Sequence, residues 1–364
     1  MRSRGPSDEL VREKAKVRVD PDLVLRYYRE LATMLGSGVQ LAQTLDTLAQ
    51  FSEDPKMREV LHDIHEMISS GRPLSNAMSF YPRVFSSVAI SMVKLGEETG
   101  QIVDSLGKLA TWMERDQDVR KRVKAALIYP AFSLGLTFLM TLGLFLFVIP
   151  EFLDMLVQMG AEIPPTTRFL VLLTDFLTSP VGWAVMLMSL AFVWYSMKAI
   201  LDSEQGRLVL FRIIYDIPVL GPTLLSAALA RYAAAAESMF ACGVDIFTAT
   251  RLCALASGSP LLLHDVKSVH QSLQEGDSLS SHMQRRPNIY PGCFGQFVLA
   301  GEESAQMEPM FRNIHQFYDE EVSHRLKSLT SMIEPIMMSL IAVIVGFIVV
   351  SLLLPLHNFI SQIG

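Results

Sequence analysis

Cysteine is scarce in this chain: there are 3 among 364 residues, Cys242, Cys253 and Cys293, at no metal-like spacing. An odd number so placed implies no disulfide framework and reads as reduced, buried thiols. Charge is also sparse, at 19% of residues with a formal net charge of −6, whereas a nucleic-acid binder should show a basic patch or stripe. No stretch alternates apolar and polar residues as a half-buried strand does. No Gly-x-x-x-x-Gly-Lys-Ser/Thr phosphate loop occurs either. Gly107-Lys108-Leu109 comes nearest and lacks the first glycine and the hydroxyl, so nucleotide hydrolysis by this chain is not expected. Residues 1–20 are polar and charged and lack the apolar core of a signal peptide, which reads as a solvated tail.

Apolar side chains are what the sequence has in quantity. Half of the residues are hydrophobic and the mean hydropathy is +0.32, too apolar for an ordinary soluble protein of this length. The length itself suits about two domains.

The chain is a tandem duplication. Leu95-Gly96-Glu97-Glu98-Thr99-Gly100 returns 205 positions later as Ala300-Gly301-Glu302-Glu303-Ser304-Ala305. Without a gap, the same offset pairs Arg26-Tyr27 with Arg231-Tyr232, Gly38-Val39 with Gly243-Val244, and Gly71 with Gly276. It also pairs Leu74-Ser75 with Leu279-Ser280, Pro130 with Pro335, and Pro150 with Pro355. Glycines and prolines fix turns and helix ends, so a register they hold over this length marks a repeated fold.

Within each copy the signals are helical. Asp20-Pro21 and Asp54-Pro55 each place an N-cap residue before a proline at the first helical position. After the second of these, Met57, Val60, Leu61, Ile64, Met67 and Ile68 share one face until Gly71; Leu262, Val266, Val269 and Leu273 keep that face apolar in the second copy. Further helices are expected from Val39 to Phe51, after Pro73, from about Val84 to Leu95, and from Ile102 onward. The predicted fold is all-α, two bundles of about six helices each.

Three long apolar stretches are expected to cross a membrane. Pro130 to Pro150 would rise roughly 30 Å as a helix, the thickness of a bilayer's hydrocarbon core. Met332 to Pro355 occupies the matching place in copy two, and Val181 to Met197 has no counterpart in the repeat. If both bundles face one compartment, the chain must cross back once between them, and this unpaired stretch is that crossing. Arg120, Lys121, Arg122 and Lys124 precede the first span, Lys198, Arg207 and Arg212 follow the second, and Arg325 and Lys327 precede the third. By the positive-inside rule both bundles are cytoplasmic. The expected organisation is a tail (1–20), a first bundle (21–124), a span (125–150), a periplasmic loop (151–180) and a second span (181–201). A cytoplasmic linker (202–225), the second bundle (226–331), the third span (332–355) and a short periplasmic tail (356–364) complete it.

These features together resemble the inner-membrane platform proteins of type IV pilus and type II secretion machines. The residues that carry the likeness are Gly-Glu-Glu-Thr/Ser in both copies and Glu334-Pro335 before the last span. Ile163-Pro164-Pro165-Thr166-Thr167-Arg168 and Ile217-Pro218-Val219-Leu220-Gly221-Pro222 add to it. The likeness runs from about residue 22 to the C-terminus. Two departures stand out: Ala305 where a glycine is usual, and a leading segment too short to hold the folded leader of many secretion-type members, which leans toward a pilus version. The resemblance implies a non-enzymatic platform without cofactors in a bacterial inner membrane. It also implies that the protein associates with itself, with a hexameric cytoplasmic ATPase, with pilin or pseudopilin subunits and with other inner-membrane assembly proteins.

Candidate site residues follow from the repeat. Gly96, Glu97 and Glu98, with Gly301, Glu302 and Glu303, read as a turn at a helix start where the helix dipole favours carboxylates, shaping packing or a partner surface. Pro130 and Pro335 belong to the same structural motif set. Glu97, Glu98 and Asp104 could offer oxygens to a hard cation, but Asp104 corresponds to Pro309, so the second copy lacks that ligand. His62 and His65 lie three apart on one helix, with no third ligand in view. The competing class is a transporter or channel, against which the uncharged interiors of all three spans count.

Overall fold

A computed structural model describes residues 14–158, 165–217 and 220–363. The first copy contributes helices α1 (Pro21–Gly36), α2 (Leu41–Phe51), α3 (Pro55–Ser69), α4 (Leu74–Ser79) and α5 (Ser87–Thr99). Helix α6 (Ile102–Gly143) runs on through a π-helical turn (Leu144–Val148) to α7 (Ile149–Gln158). Next come α8 (Pro165–Thr178), α9 (Pro180–Asp202) and α10 (Glu204–Asp216). The second copy supplies α11 (Leu220–Ala241), α12 (Ile246–Ser257), α13 (Pro260–Gln274), α14 (Leu279–Gln284) and α15 (Phe294–Ser304), and ends in α16 (Met307–Ile363). No strand occurs among the described residues.

The chain forms two compact units. One contains residues up to Lys121 together with Gly221–Val322, and the other holds Arg122–Leu220 with Ser323–Gly364. Tail residues 1–13 and parts of the two proline motifs, Ile163-Pro164 and Pro218-Val219, lie outside the described residues.

In the first unit both bundles share one continuous apolar core. The expected caps are in place: Asp20 accepts from the Asp22 N–H and Asp54 from the Met57 N–H at 2.7 Å. Val60, Leu61 and Ile64 of α3 are buried as their spacing requires. Aromatic rings cluster in the core of each copy, at equivalent positions for Tyr27 and Tyr232 and for Phe85 and Tyr290. Tyr27, Tyr28 and Phe85 pack together in the first; Tyr232, Tyr290, Phe294 and Phe311 do so in the second. Each such side chain removes a large apolar area from water and dominates the stability of its bundle.

In the second unit a small core gathers Phe145 and Ile149 with Ile348, flanked by Leu173 and Leu177 of α8. The Thr167 hydroxyl donates to the Ser351 carbonyl, so a polar group buried there is paired. Among the described residues, three helices are long and apolar enough to cross a membrane: Ile102–Phe152, Pro180–Leu201 and Met307–Ser351.

Two expectations change. Pro150 and Pro355 do not end their helices. Pro150 follows the π turn, where the Ile149 N–H reaches back to the Leu144 carbonyl, and this widened ladder accommodates a residue with no N–H to donate. Residues 151–180, read as a loop, carry most of α7 and all of α8. Pro130 and Pro335 lie inside α6 and α16.

Candidate functional site

The Gly-Glu-Glu turns sit at the end of a helix, not at its start. Ser86 caps α5 by accepting from the Ala89 N–H at 3.2 Å, so the helix begins later than the apolar pattern suggests and runs to Thr99. Gly96, Glu97 and Glu98 therefore occupy its last turn. The carboxylates do serve a helix start, but that of another helix. Glu97 accepts from the backbone N–H of Leu74 and of Ser75, the latter at 3.2 Å, and from the Ser75 hydroxyl. In the second copy Glu302 accepts from the N–H of Leu279 at 2.8 Å and of Ser280 at 3.1 Å. Glu97 and Glu302 thus cap α4 and α14 from outside, supplying the acceptor that their first N–H groups lack.

Gly96 is required for a different reason. A Cβ built there would lie 2.7 Å from Ser105 Oγ and 3.1 Å from the Ile102 Cα, so α6 can approach α5 only over a glycine. Gly301 plays the same part, with Met307 Sδ at 3.0 Å. Beyond each turn the chain needs a left-handed residue. Gly100 has φ 70° and Ala305 φ 54°, the one positive φ outside glycine among the described residues.

Glu98 faces outward near Lys94, 3.7 Å away, and Glu303 is exposed. Asp104 pairs with Lys108 at 2.6 Å. The three carboxylates weighed as metal ligands therefore point to three different partners, and no metal-holding group of three such side chains exists among the described residues. His65 is engaged with the Ala42 carbonyl, while His62 lies 3.7 Å from Glu66.

Two polar clusters escaped sequence reasoning. The first ties the bundles together. Glu237, with its side chain 9% exposed, accepts from Arg115 of α6 and from Arg312 Nε of α16 at 2.8 Å. This bond to Glu237 holds the Arg312 guanidinium above its ordinary pKa. Beside it, Lys108 Nζ donates to the Ala241 carbonyl at 2.9 Å. The counterparts of Glu237 and Arg312 in the repeat are Ala32 and Gly107, so the clamp belongs to the junction and not to either bundle.

The second cluster lies inside the second bundle. Asp265 is fully buried and accepts from His282 Nε2 at 3.1 Å, the Tyr290 hydroxyl at 3.0 Å and Arg286. Ser272 Oγ stands 2.9 Å from His282 Nδ1. Hydroxyl, imidazole and carboxylate are thus in a row, the order of a nucleophilic triad. The carboxylate, however, is already held by Arg286 and Tyr290, and the ring is only 4% exposed. The arrangement is a satisfied core network. Copy one has Val60, Ala77, Tyr81 and Phe85 at these positions, all buried. The trace in the sequence is a pair of gaps: Asp265 and Ser272 stand where Val60 and Met67 complete the apolar face of copy one.

Comparison with known proteins agrees with the duplication. The family described as "Type II secretion system (T2SS), protein F" matches residues 27–150 and again 237–355. The chain belongs to this protein F family. Among its relatives is a type IV pilus assembly protein PilC of Pseudomonas aeruginosa, 28% identical over all of this chain and 98% of that protein. A PilC of Thermus thermophilus is 30% identical over 93% of this chain and 82% of its own length. The type II secretion system protein F of Vibrio cholerae is 27% identical, covering 94% and 84%. Both family matches contain one Gly-Glu-Glu turn, one α4-type or α14-type helix capped by it, and one long helix that becomes a candidate span.

Proposed function

We propose that this member of the protein F family is a non-enzymatic inner-membrane platform of a type IV pilus or type II secretion machine. Both bundles face the cytoplasm, where a separate hexameric ATPase docks. The spans meet pilin or pseudopilin subunits and other assembly proteins, and the chain associates with itself. Its work is to pass ATPase motion to subunits that leave the membrane for a growing filament.

One observation carries this reading. Helices α6 and α16 each run from a bundle core into an apolar stretch long enough to span, and the Glu237 carboxylate joins the bundle ends of both through Arg115 and Arg312. A push on either bundle is thereby shared by two membrane-directed helices. The names of the relatives, pilus assembly and secretion proteins, support the setting.

Co-purification of the full chain with the assembly ATPase of the same cell, from detergent-solubilised membranes, tests the proposal. Because the bundles share one core, deleting either would unfold the other, and surface variants are the better probes. Glu59→Arg with Glu66→Arg alters α3, and Lys267→Glu alters α13. Retention by the full chain and loss with one variant set locates the docking face. No retention by correctly folded protein, or robust solute flux through reconstituted protein, would overturn the platform reading.

A further inference from the structure

Both ends of α9 turn on the same small device. Ser203 caps α10 by accepting from the Gly206 N–H at 3.4 Å, and a Cβ on Gly206 would lie 2.4 Å from the Ile200 carbonyl oxygen. At the other end Ser179 accepts from the Gly182 N–H at 2.9 Å, and a Cβ on Gly182 would lie 1.6 Å from the Phe176 carbonyl oxygen. Each corner is too tight for any residue but glycine. Helix α10 therefore leaves the line of α9 at once, starting at the depth where α9 ends. That depth carries interfacial residues. Lys198 sits 5.5 Å from the Trp194 ring centre, and such lysine and tryptophan side chains favour the headgroup level.

The faces of α10 are sorted. Leu208, Phe211 and Tyr215 are half-buried on one side. On the other, Val209 and Ile213 stand four apart and are 58% and 57% exposed, and Ile217, the residue just past the end of the helix, continues the row at 39%. At 3.6 residues per turn, Arg207 and Arg212 fall roughly 100° to 120° to either side of that stripe. Glu204 and Asp216 stand at the two ends of the helix, so what marks it is the placing of its arginines and not a net charge. An exposed apolar stripe flanked on both sides by arginines is the pattern of a helix lying in a membrane interface.

We propose that α10 lies in the plane of the cytoplasmic membrane face. Val209, Ile213 and Ile217 sink to the boundary of headgroups and acyl chains, and Arg207 and Arg212 reach the phosphates of anionic lipids. The helix then fixes the depth of α9 and anchors the start of the second bundle to the bilayer. This rests on α9 crossing the membrane, as the reading above requires.

The test places a photoreactive benzoylphenylalanine at Ile213 of the full chain, and separately at Leu187, which is 60% exposed in the middle of α9. Both are reconstituted in nanodiscs of phosphatidylcholine with or without phosphatidylglycerol, irradiated and read by mass spectrometry. Lipid adducts at both positions are expected, with phosphatidylglycerol over-represented at Ile213. In the Arg207→Gln, Arg212→Gln background that preference should fall at least twofold, and an unchanged preference would refute the role of the arginines. Adducts at Leu187 with none at Ile213, or cross-linking of Ile213 to a second copy, would overturn the interfacial helix and leave the span intact. Absence of lipid adducts at both positions would bring down the crossing and the proposal together.

Discussion

Glu302 stands to Leu279 as Glu97 stands to Leu74: in each copy a carboxylate from the last turn of one helix accepts the first free N–H of another. The bond recurs after 205 positions because the same three elements recur: a short helix whose first N–H groups have no acceptor of their own, a partner helix, and a glutamate at the right height on that partner. Pro73 gives α4 no side-chain cap at all, and of the backbone N–H groups Ser278 of copy two serves only that of Ser281. The neighbouring glutamate has no such duty. Glu97→Ala and Glu302→Ala should each lower stability by about 1–2 kcal/mol, the usual loss for a cap or a charge-assisted bond. Glu98→Ala and Glu303→Ala should stay within about 0.5 kcal/mol of the parent, as exposed changes do. Thermal unfolding of the purified chain in detergent measures all four, and equal losses at Glu97 and Glu98 would refute the assignment.

The turn after each capping helix gives a second contrast. Ala305 holds a left-handed conformation that costs an L-residue about 1–2 kcal/mol, whereas Gly100 holds it freely. Ala305→Gly should therefore raise stability by about 1 kcal/mol, less the extra freedom glycine brings to the unfolded chain. Gly96→Ala acts in the opposite sense by forcing Ser105 and the backbone of Ile102 away. Gly301→Ala should cost less, because the long methionines it meets can shift. The order Gly96→Ala below Gly301→Ala below parent in unfolding midpoint is the expected result.

How much of this was legible can be judged residue by residue. The duplication and the helical class were plain, since glycines and prolines at a fixed offset record backbone geometry directly. The capping glutamates stand out as a motif, but the sequence pattern puts them at the wrong end of a helix, because the apolar run from Val84 hides the cap at Ser86. Helix α8 is hidden in the sequence because its apolar run is too short to span and follows a proline cluster. Glu237 and its two arginines could not be paired at all. Arg115 and Glu237 are 122 positions apart, and no local pattern encodes a contact made only when two bundles dock.

His315 supplies a pH dependence. Burial lowers its pKa from the ordinary 6.5, outweighing the Ala230 carbonyl, which raises it, while Arg115 lowers it further. With Nδ1 3.1 Å from that carbonyl, the neutral ring donates and is satisfied. The unfolded chain takes up a proton near pH 6.5 and the folded chain only at lower pH. The contribution is thus fully present above about pH 6.5 and is lost as pH falls through the folded value, at a slope of at most about 1.4 kcal/mol per unit. The unfolding midpoint should drop between pH 7.5 and 5.5, and His315→Asn should flatten that drop. An identical slope in the variant would show that another group is responsible.

The Asp265 network lets one copy serve as the control for the other. Asp265→Val alone installs the residue of copy one but leaves Arg286, His282 and Tyr290 without their common acceptor. Removing one partner of a buried charged network costs about 3–5 kcal/mol, reduced here because Arg286 is 40% exposed and can turn to water. Adding His282→Ala, Arg286→Phe and Tyr290→Phe builds an apolar set of the size copy one packs at Val60, Ala77, Tyr81 and Phe85, without the Tyr81 hydroxyl, which there donates to Asp63. Apolar replacements of buried ion networks are often neutral or stabilising, and volume-conserving sets are tolerated best. The fourfold variant should therefore unfold at or above the parent midpoint, while Asp265→Val falls well below it. A fourfold variant as unstable as the single one would mean that the backbones of the two bundles differ at this site, and that the polar cluster is built into the shape of the second copy.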